Sequence, residues 1–259
     1  MGPRVLTYNV RHAVIDDGPD AWERRRPGVA ARLGAADADV VGLQECGPDQ
    51  HADVDADLPG YRWVGVAEAA RSGENNPLGV GRRFAVRDSE TTWLSESGRP
   101  RSVGWDAEYT RVVTTAHLHD RATGRDLTVY NTHFDHVGTR ARVESATLLR
   151  ERIDGLPSDR PAVVVGDLNA EPGRASYERL LDSGFDRRLR DARAVADVVD
   201  GPSTTLSDFV DLRPDRRIDH VLVTDGVDVE RYAVDATTVD GRYPSDHLPV
   251  VVDLAYAAD

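Results

Sequence analysis

Short runs rich in Val, Thr, Leu and Tyr recur from one end of the chain to the other, and only a few stretches with helical spacing separate them. With no Pro/Gly/Ser linker or break in composition, this alternation constrains residues 1–259 to a single α/β unit. Residues 4–10 and 39–44 read as strands, and Pro27 sits where a first helical residue belongs, ahead of Val29, Ala30 and Leu33 on one face. Residues 84–94 and 111–119 carry β-branched alternation, and 122–126 form a turn leading straight into 127–132, an antiparallel hairpin signal. The clearest helix spans 139–154, where Val143, Ala146, Leu149 and Ile153 repeat at helical spacing and Gly155-Leu-Pro157 stops it. Residues 162–165 are a buried strand, 186–215 a polar stretch, and 217–223 and 248–254 closing strands.

An apolar share of 40% suffices for one sizeable core, which excludes a disulfide-stapled miniprotein and a disordered tail. No apolar run approaches the ~18 residues of a membrane helix, and the chain opens on a strand-like segment rather than a signal peptide. A cytoplasmic monomer without a membrane partner is expected. The single cysteine, Cys46, excludes an internal disulfide and CxxC-type redox or zinc-finger chemistry, and reads as a small buried hydrophobe. Charge says more: 45 acids, 33 of them Asp, face 32 bases that are all Arg, for a net −13. That balance suits solubility in concentrated salt, where a Debye length of about 3 Å at 1 M weakens self-repulsion. It argues against a broad grip on nucleic acid, which shows as a basic stripe. A polyanion would have to be met locally, by arginines and metal.

Chemistry gathers at the strand ends. Asp167 and Asn169 in Val163-Val-Val-Gly-Asp-Leu-Asn169 are two apart on an extended segment, so both side chains leave one face and can position a water. In isolation such a pair more often caps its own turn. Pro244-Ser-Asp-His-Leu-Pro249 puts Asp246 and His247 together before the last strand. Asp219, flanked by Ile218 and Val221, would be costly to bury without a partner. The N–H of His247 is the natural one, and an arginine is the competing choice. Asn131-Thr-His-Phe-Asp-His136 offers His133, Asp135 and His136. Zinc would need further His or Cys ligands, and the oxygen-rich set of Glu45, Asp167 and Asp246 suits a hard cation such as Mg²⁺ better. His136 reads as a loop histidine contacting backbone. Glu45 and Asn9 each end an apolar strand.

In chain order the series is Asn9, Glu45, His133, Asp167 with Asn169, Asp219, and Asp246 with His247. It resembles the endonuclease/exonuclease/phosphatase superfamily of DNase I-like enzymes, over residues 4–254. The branch it most resembles is prokaryotic and is marked by stretches such as Trp93-Leu-Ser-Glu96, Gly104-Trp-Asp106, Asn131-Thr-His-Phe-Asp-His-Val-Gly138 and Arg242-Tyr-Pro-Ser-Asp-His247. The resemblance implies a four-layer α/β sandwich, two mixed β-sheets face to face and flanked by helices. It implies Glu45 as principal ligand of a divalent ion, Mg²⁺ or Mn²⁺, with Asn9 and Asp246 nearby. Asp167 and Asn169 would orient the attacking water and the phosphate, His133 and His247 would contact the phosphate from either side, and Asp219 would hold the tautomer of His247. Glu74 matches a carboxylate placed behind His133, Asp135 is a supporting position, and Arg111 is either a phosphate clamp or one more surface arginine. Either Asp167 or His247 can take the proton from water.

The activity implied is metal-dependent hydrolysis of phosphate esters. A phosphodiesterase or nuclease acting on nucleic acid or a short oligonucleotide comes first, and a phosphomonoesterase or phospholipid-type hydrolase on the same machinery is the alternative. A catalytically dead interaction module would lack a metal or histidine position, and none is missing. The family shares one phosphoryl site and varies the loops around it, so the motifs do not carry substrate class. Leu78-Gly-Val-Gly81 has small residues where relatives often have aromatics, which would widen that wall. Trp105 is placed to stack on a base or sugar, against a core-packing alternative, and Trp22, Trp63 and Trp93 read as core.

Overall fold

The computed structural model describes residues 2–14, 18–66 and 76–257. Its elements are β1 (Arg4–Asn9), α1 (Trp22–Ala36), β2 (Val40–Gln44), α2 (Pro48–Asp57), β3 (Arg62–Val64), β4 (Leu78–Val80), β5 (Phe84–Trp93), β6 (Val112–Asp120) and β7 (Asp126–His133). There follow α3 (Thr139–Asp154), β8 (Ala162–Asp167), α4 (Ala175–Leu180), β9 (Leu189–Asp191), α5 (Ala192–Val195), β10 (Val198–Asp200), β11 (Asp219–Thr224), β12 (Val227–Val234) and β13 (Val250–Tyr256). The strands form two mixed sheets, ordered β10-β12-β13-β1-β2-β4-β3 and β5-β6-β7-β8-β11-β9.

Side-chain alternation builds the layers. Val5, Val40, Val250 and Val252 of the first sheet meet Leu127, Val129, Val163, Val165 and Val221 of the second. The opposite face of the second sheet, with Tyr130 and Val164, packs on Leu149 and Ile153 of α3. Leu6 and Tyr8 of β1 and Val41 and Leu43 of β2 pack outward on Trp22, Val29 and Leu33 of α1 and Val54 of α2. Central strands covered on both faces read as continuous apolar runs, which is the pattern of β2 and β8. The architecture is the expected four-layer α/β sandwich.

Helix α3 has the bounds read from its periodicity, but its N-terminus is capped from a distance. Gly138 has no side chain to cap with, and Asp106 accepts from the N–H groups of Ala141 at 2.6 Å and Arg140 at 3.2 Å. A Cβ on Gly138 would lie 2.7 Å from the Asp106 carboxylate, so the glycine makes room for its own cap.

Three expectations change. Pro27 lies inside α1 rather than at its start. Buried Trp22 donates its indole N–H to Asp53 at 2.8 Å, and buried Arg25 ties down the Asp20 carbonyl, anchors that outweigh the ~3 kcal/mol a helix-interior proline costs. The polar stretch 186–215 holds β9, α5 and β10, because its Asp191 is used internally, accepting from Arg193 N–H, Tyr177 and Arg217. The small residues of β4 do not open a wall: a Cβ on Gly79 would lie 2.8 Å from the Trp63 ring, which already fills that space. β12 is a further element that the sequence reading does not include; it pairs with β13.

His220 of β11 is fully buried, with Nε2–H donating to the Ala170 carbonyl at 2.9 Å and Nδ1 3.1 Å from an Arg217 nitrogen. Burial first, then the Arg217 charge, push its pKa down from 6.5 to about 4. Between those values the unfolded chain binds more protons than the folded one. The contribution of neutral His220, about 3 kcal/mol at most, is therefore fully present above pH ~6.5 and is lost as pH falls toward 4. Melting curves of wild type and His220→Gln at pH 7 and pH 5 check this: the wild type should lose more stability on acidification, and parallel losses would contradict it.

Candidate active site

The polar residues lie where strand ends from both sheets meet. In register, Asn9 stands beside Gln44 on parallel strands, and Asp167 stands between His133 on β7 and Asp219 on β11. Close strand contact explains the glycine of Gly166-Asp-Leu-Asn169. Gly166 has φ +151°, and a Cβ there would lie 2.0 Å from the Thr132 carbonyl oxygen. Asn169 turns the chain at φ +47°, a left-handed conformation asparagine tolerates. Glu45 also has positive φ, +56°, held by its own carboxylate, which accepts from Asn9 Nδ2 and from His12 N–H, each at 3.0 Å. Beneath it, Gln44 Nε2 donates across to Asn131 Oδ1 at 2.6 Å, joining the two sheets.

These groups floor a cavity of about 480 Å³, with Glu45, His133, Asp167, Asn169 and His247 in its lining. The His247 ring sits 2.9 Å by Nδ1 from the Asp219 carboxylate and 3.8 Å by Nε2 from Asp167. The expected His247–Asp219 pair is present, and no arginine takes that place. Asp167 also accepts from Asn9 Nδ2 at 3.1 Å and from Asn169 N–H at 2.9 Å, and stands 3.5 Å from His133 Nε2. Asn169 Nδ2 is 3.0 Å from His133 Nε2 and donates to the Phe134 carbonyl.

Electrostatics follow from this crowding. Burial pushes the Glu45 carboxyl up, but the neighbouring His133 charge, the Asn9 amide, His247 and the His12 N–H outweigh it and hold the pKa at about 2. Burial raises Asp167. Burial disfavours charge on His247, yet the adjacent Asp219 carboxylate overrides it and the imidazolium persists well above its ordinary range.

Arg111 is not a surface arginine: it is buried, with a guanidinium nitrogen 2.9 Å from His133 Nδ1. Asp135 is buried as well, outside the cavity lining, and its oxygens accept from the N–H groups of Glu108, Tyr109, Val137 and Gly138. Burial pushes its carboxyl up, but the N–H groups of Gly138, Tyr109 and Glu108, with Arg111, outweigh it and set the pKa at about 2. Asp246 pairs with Arg11 at 3.1 Å. Glu74 lies outside the described residues. Trp105 is not in the cavity lining, and its N–H donates to the Glu96 carboxylate.

Arg11, His12, Val14, Tyr109 and His136 also line the cavity. His136 is therefore not spent on backbone. It stacks on Tyr109 at 5.7 Å and reaches Glu108 at 3.4 Å. Arg11 and His12 carry the one signal that points to them, their position directly after Asn9 at the end of β1.

The oxygen-rich strand ends suit a hard cation. Glu45 lines the cavity as an ionised carboxylate. Asp167, Asp219 and His247, all buried, form a second candidate set, with ligand atoms within 4.8 Å of one another.

A DNase I-like sandwich with its polar strand ends gathered at one edge is the architecture of a class of phosphoester hydrolases. The chain belongs to the Endonuclease/Exonuclease/phosphatase family, whose sequence profile matches residues 6–247. Its fold is similar to that of a family member from Bacteroides thetaiotaomicron (TM-score 0.92, 32% identity, covering 100% of this chain and 99% of that one). A mannosyl-6-phosphatase from the same organism is similar at TM-score 0.91 and 32% identity, covering 98% of this chain and 100% of that one. A family protein from Bacteroides vulgatus is similar at TM-score 0.88 and 33% identity, covering 99% and 100%. No functionally curated protein matches the chain significantly. No helix among the described residues is long and apolar enough to cross a membrane.

Proposed function

We propose that residues 1–259 form one catalytic domain, a divalent-metal-dependent phosphomonoesterase acting on a small phosphorylated molecule. The observation that carries this reading is the size of the site. His133, Asn169 and His247 floor a cavity of about 480 Å³, a small-molecule volume, with Val14, Tyr109 and His136 also in its lining. A basic groove would suit a polymer, and a net charge of −13 repels one. The mannosyl-6-phosphatase among the similar structures supports the same direction. The sequence put a phosphodiesterase first, and the size and lining of the cavity favour the monoesterase alternative.

In this reading the ester phosphate enters between His133 and His247, with Arg111 behind His133 and Asn169 beside it. His247, protonated and held through Nδ1 by Asp219, presents Nε2–H to the charge that builds on phosphoryl oxygens. Asp167, fixed by Asn9 and the Asn169 N–H, is the carboxylate within reach of both imidazoles and takes the proton from water; the raised His247 pKa supports that division of labour. Glu45, with Asn9 beside it and Asp246 behind Arg11, would hold Mg²⁺ or Mn²⁺. When bound, the cation supplies charge neutralisation for the phosphoryl group and its leaving oxygen.

A substrate panel with and without Mg²⁺ or Mn²⁺ tests this: hexose 6-phosphate, glycerol 3-phosphate, bis(4-nitrophenyl) phosphate and a single-stranded oligonucleotide. The expected kcat/KM is at least ~100-fold higher for a monoester than for either diester, and dependent on the cation. Faster diester cleavage would return the reading to a phosphodiesterase.

A further inference from the structure

Beside the phosphate pocket, the cavity lining includes Tyr109 and His136, which the chemistry above does not use. Tyr109 is 53% exposed and stacks on His136, with ring centroids 5.7 Å apart and planes 20° from parallel. The Glu108 carboxylate lies 3.4 Å from His136 Nε2 and is half exposed. Arg111 joins this platform to the pocket: one guanidinium nitrogen is 2.9 Å from His133 Nδ1, another 3.4 Å from His136 Nδ1, and its carbon lies 5.8 Å from the Tyr109 ring centre. Asp135 fixes both arms of the stack, accepting from the N–H groups of Glu108 and Tyr109 on one side and Val137 and Gly138 on the other. An exposed aromatic held this rigidly loses little freedom when a ligand arrives.

We infer that Tyr109, His136 and Glu108 form a leaving-group subsite that takes the ring of a sugar phosphate. The inference rests on the phosphomonoesterase reading and names its substrate class. The C–H face of a pyranose lies flat on the negative face of an aromatic ring, and its edge hydroxyls are donors. A carboxylate accepts only, so Glu108 matches those hydroxyl donors. The short link through Arg111 puts ring and phosphate within the span of one hexose phosphate.

The test uses non-hydrolysable probes, so that it does not depend on turnover. Calorimetry with Mg²⁺ present compares a hexose 6-methylenephosphonate, methylphosphonate and a nucleoside 5′-methylenephosphonate. Titrations are run on wild type, Tyr109→Ala and Glu108→Gln. Wild type is expected to bind the hexose probe at least about tenfold more tightly than methylphosphonate, and each variant to shrink that ratio severalfold. Exposed Tyr109 and Glu108 carry no core packing, and the ratio within each variant cancels any general loss. A wild-type ratio near one, a ratio untouched by either substitution, or a nucleoside probe that outbinds the hexose probe would overturn the inference. If the sugar ratio holds while hexose 6-phosphate is not hydrolysed, the subsite stands and the phosphomonoesterase reading falls.

Discussion

Asp219→Asn is expected to lower kcat on a phosphate monoester by about a thousandfold while KM moves only a few fold. The carboxylate is fully buried and hydrogen-bonds to His247 Nδ1, 2.9 Å away. An asparagine fills the same space and can still accept the hydrogen bond, so the fold should persist. What disappears is the counter-charge that keeps His247 protonated against burial. The high-pH limb of the kcat profile should therefore move to lower pH in the variant. A purely structural role for Asp219 would leave that limb where it is, and a rate near wild type would remove the dyad from the mechanism.

Glu45→Gln should weaken Mn²⁺ binding at least ~100-fold and abolish turnover, because it removes a cavity carboxylate held ionised down to about pH 2. The amide keeps the shape but has one acceptor oxygen, so it keeps the hydrogen bond from either Asn9 or His12 and loses the other, and the melting temperature should fall only modestly. Calorimetric titration with Mn²⁺ reads the effect directly. Undiminished affinity would shift the cation to the buried Asp167, Asp219 and His247 set.

The strand-end residues were legible because each ends a short apolar run, and a two-residue strand period fixes which side chains share a face. Asp167 and Asn169 follow that rule, and β7, β8 and β11 bring His133, Asp167 and Asp219 abreast. Helix α3 was legible to the residue because its apolar stripe and its Gly155-Leu-Pro157 stop agree. Loop residues carry no such periodicity. Tyr109 and His136 are 27 positions apart and meet only because Asp135 gathers the backbone of both loops. In sequence Arg111 reads either as a phosphate clamp or as one more surface arginine among 32, and burial against His133 removes the second reading. Pro27 misled for a related reason: tertiary anchors at Trp22 and Arg25 override a local helix-start rule.

In the proposed mechanism the cavity floor is divided, with the cation at Glu45 and the phosphoryl group between His133, Asn169 and His247. A crystal structure of the protein with Mn²⁺ and tungstate tests it most directly, since the anomalous signals of the two elements separate cation from anion. The account predicts Mn²⁺ on the Glu45 carboxylate and tungstate within hydrogen-bond distance of both His133 and His247. Mn²⁺ bound by Asp167, Asp219 and His247, or tungstate bound away from the two histidines, would contradict it.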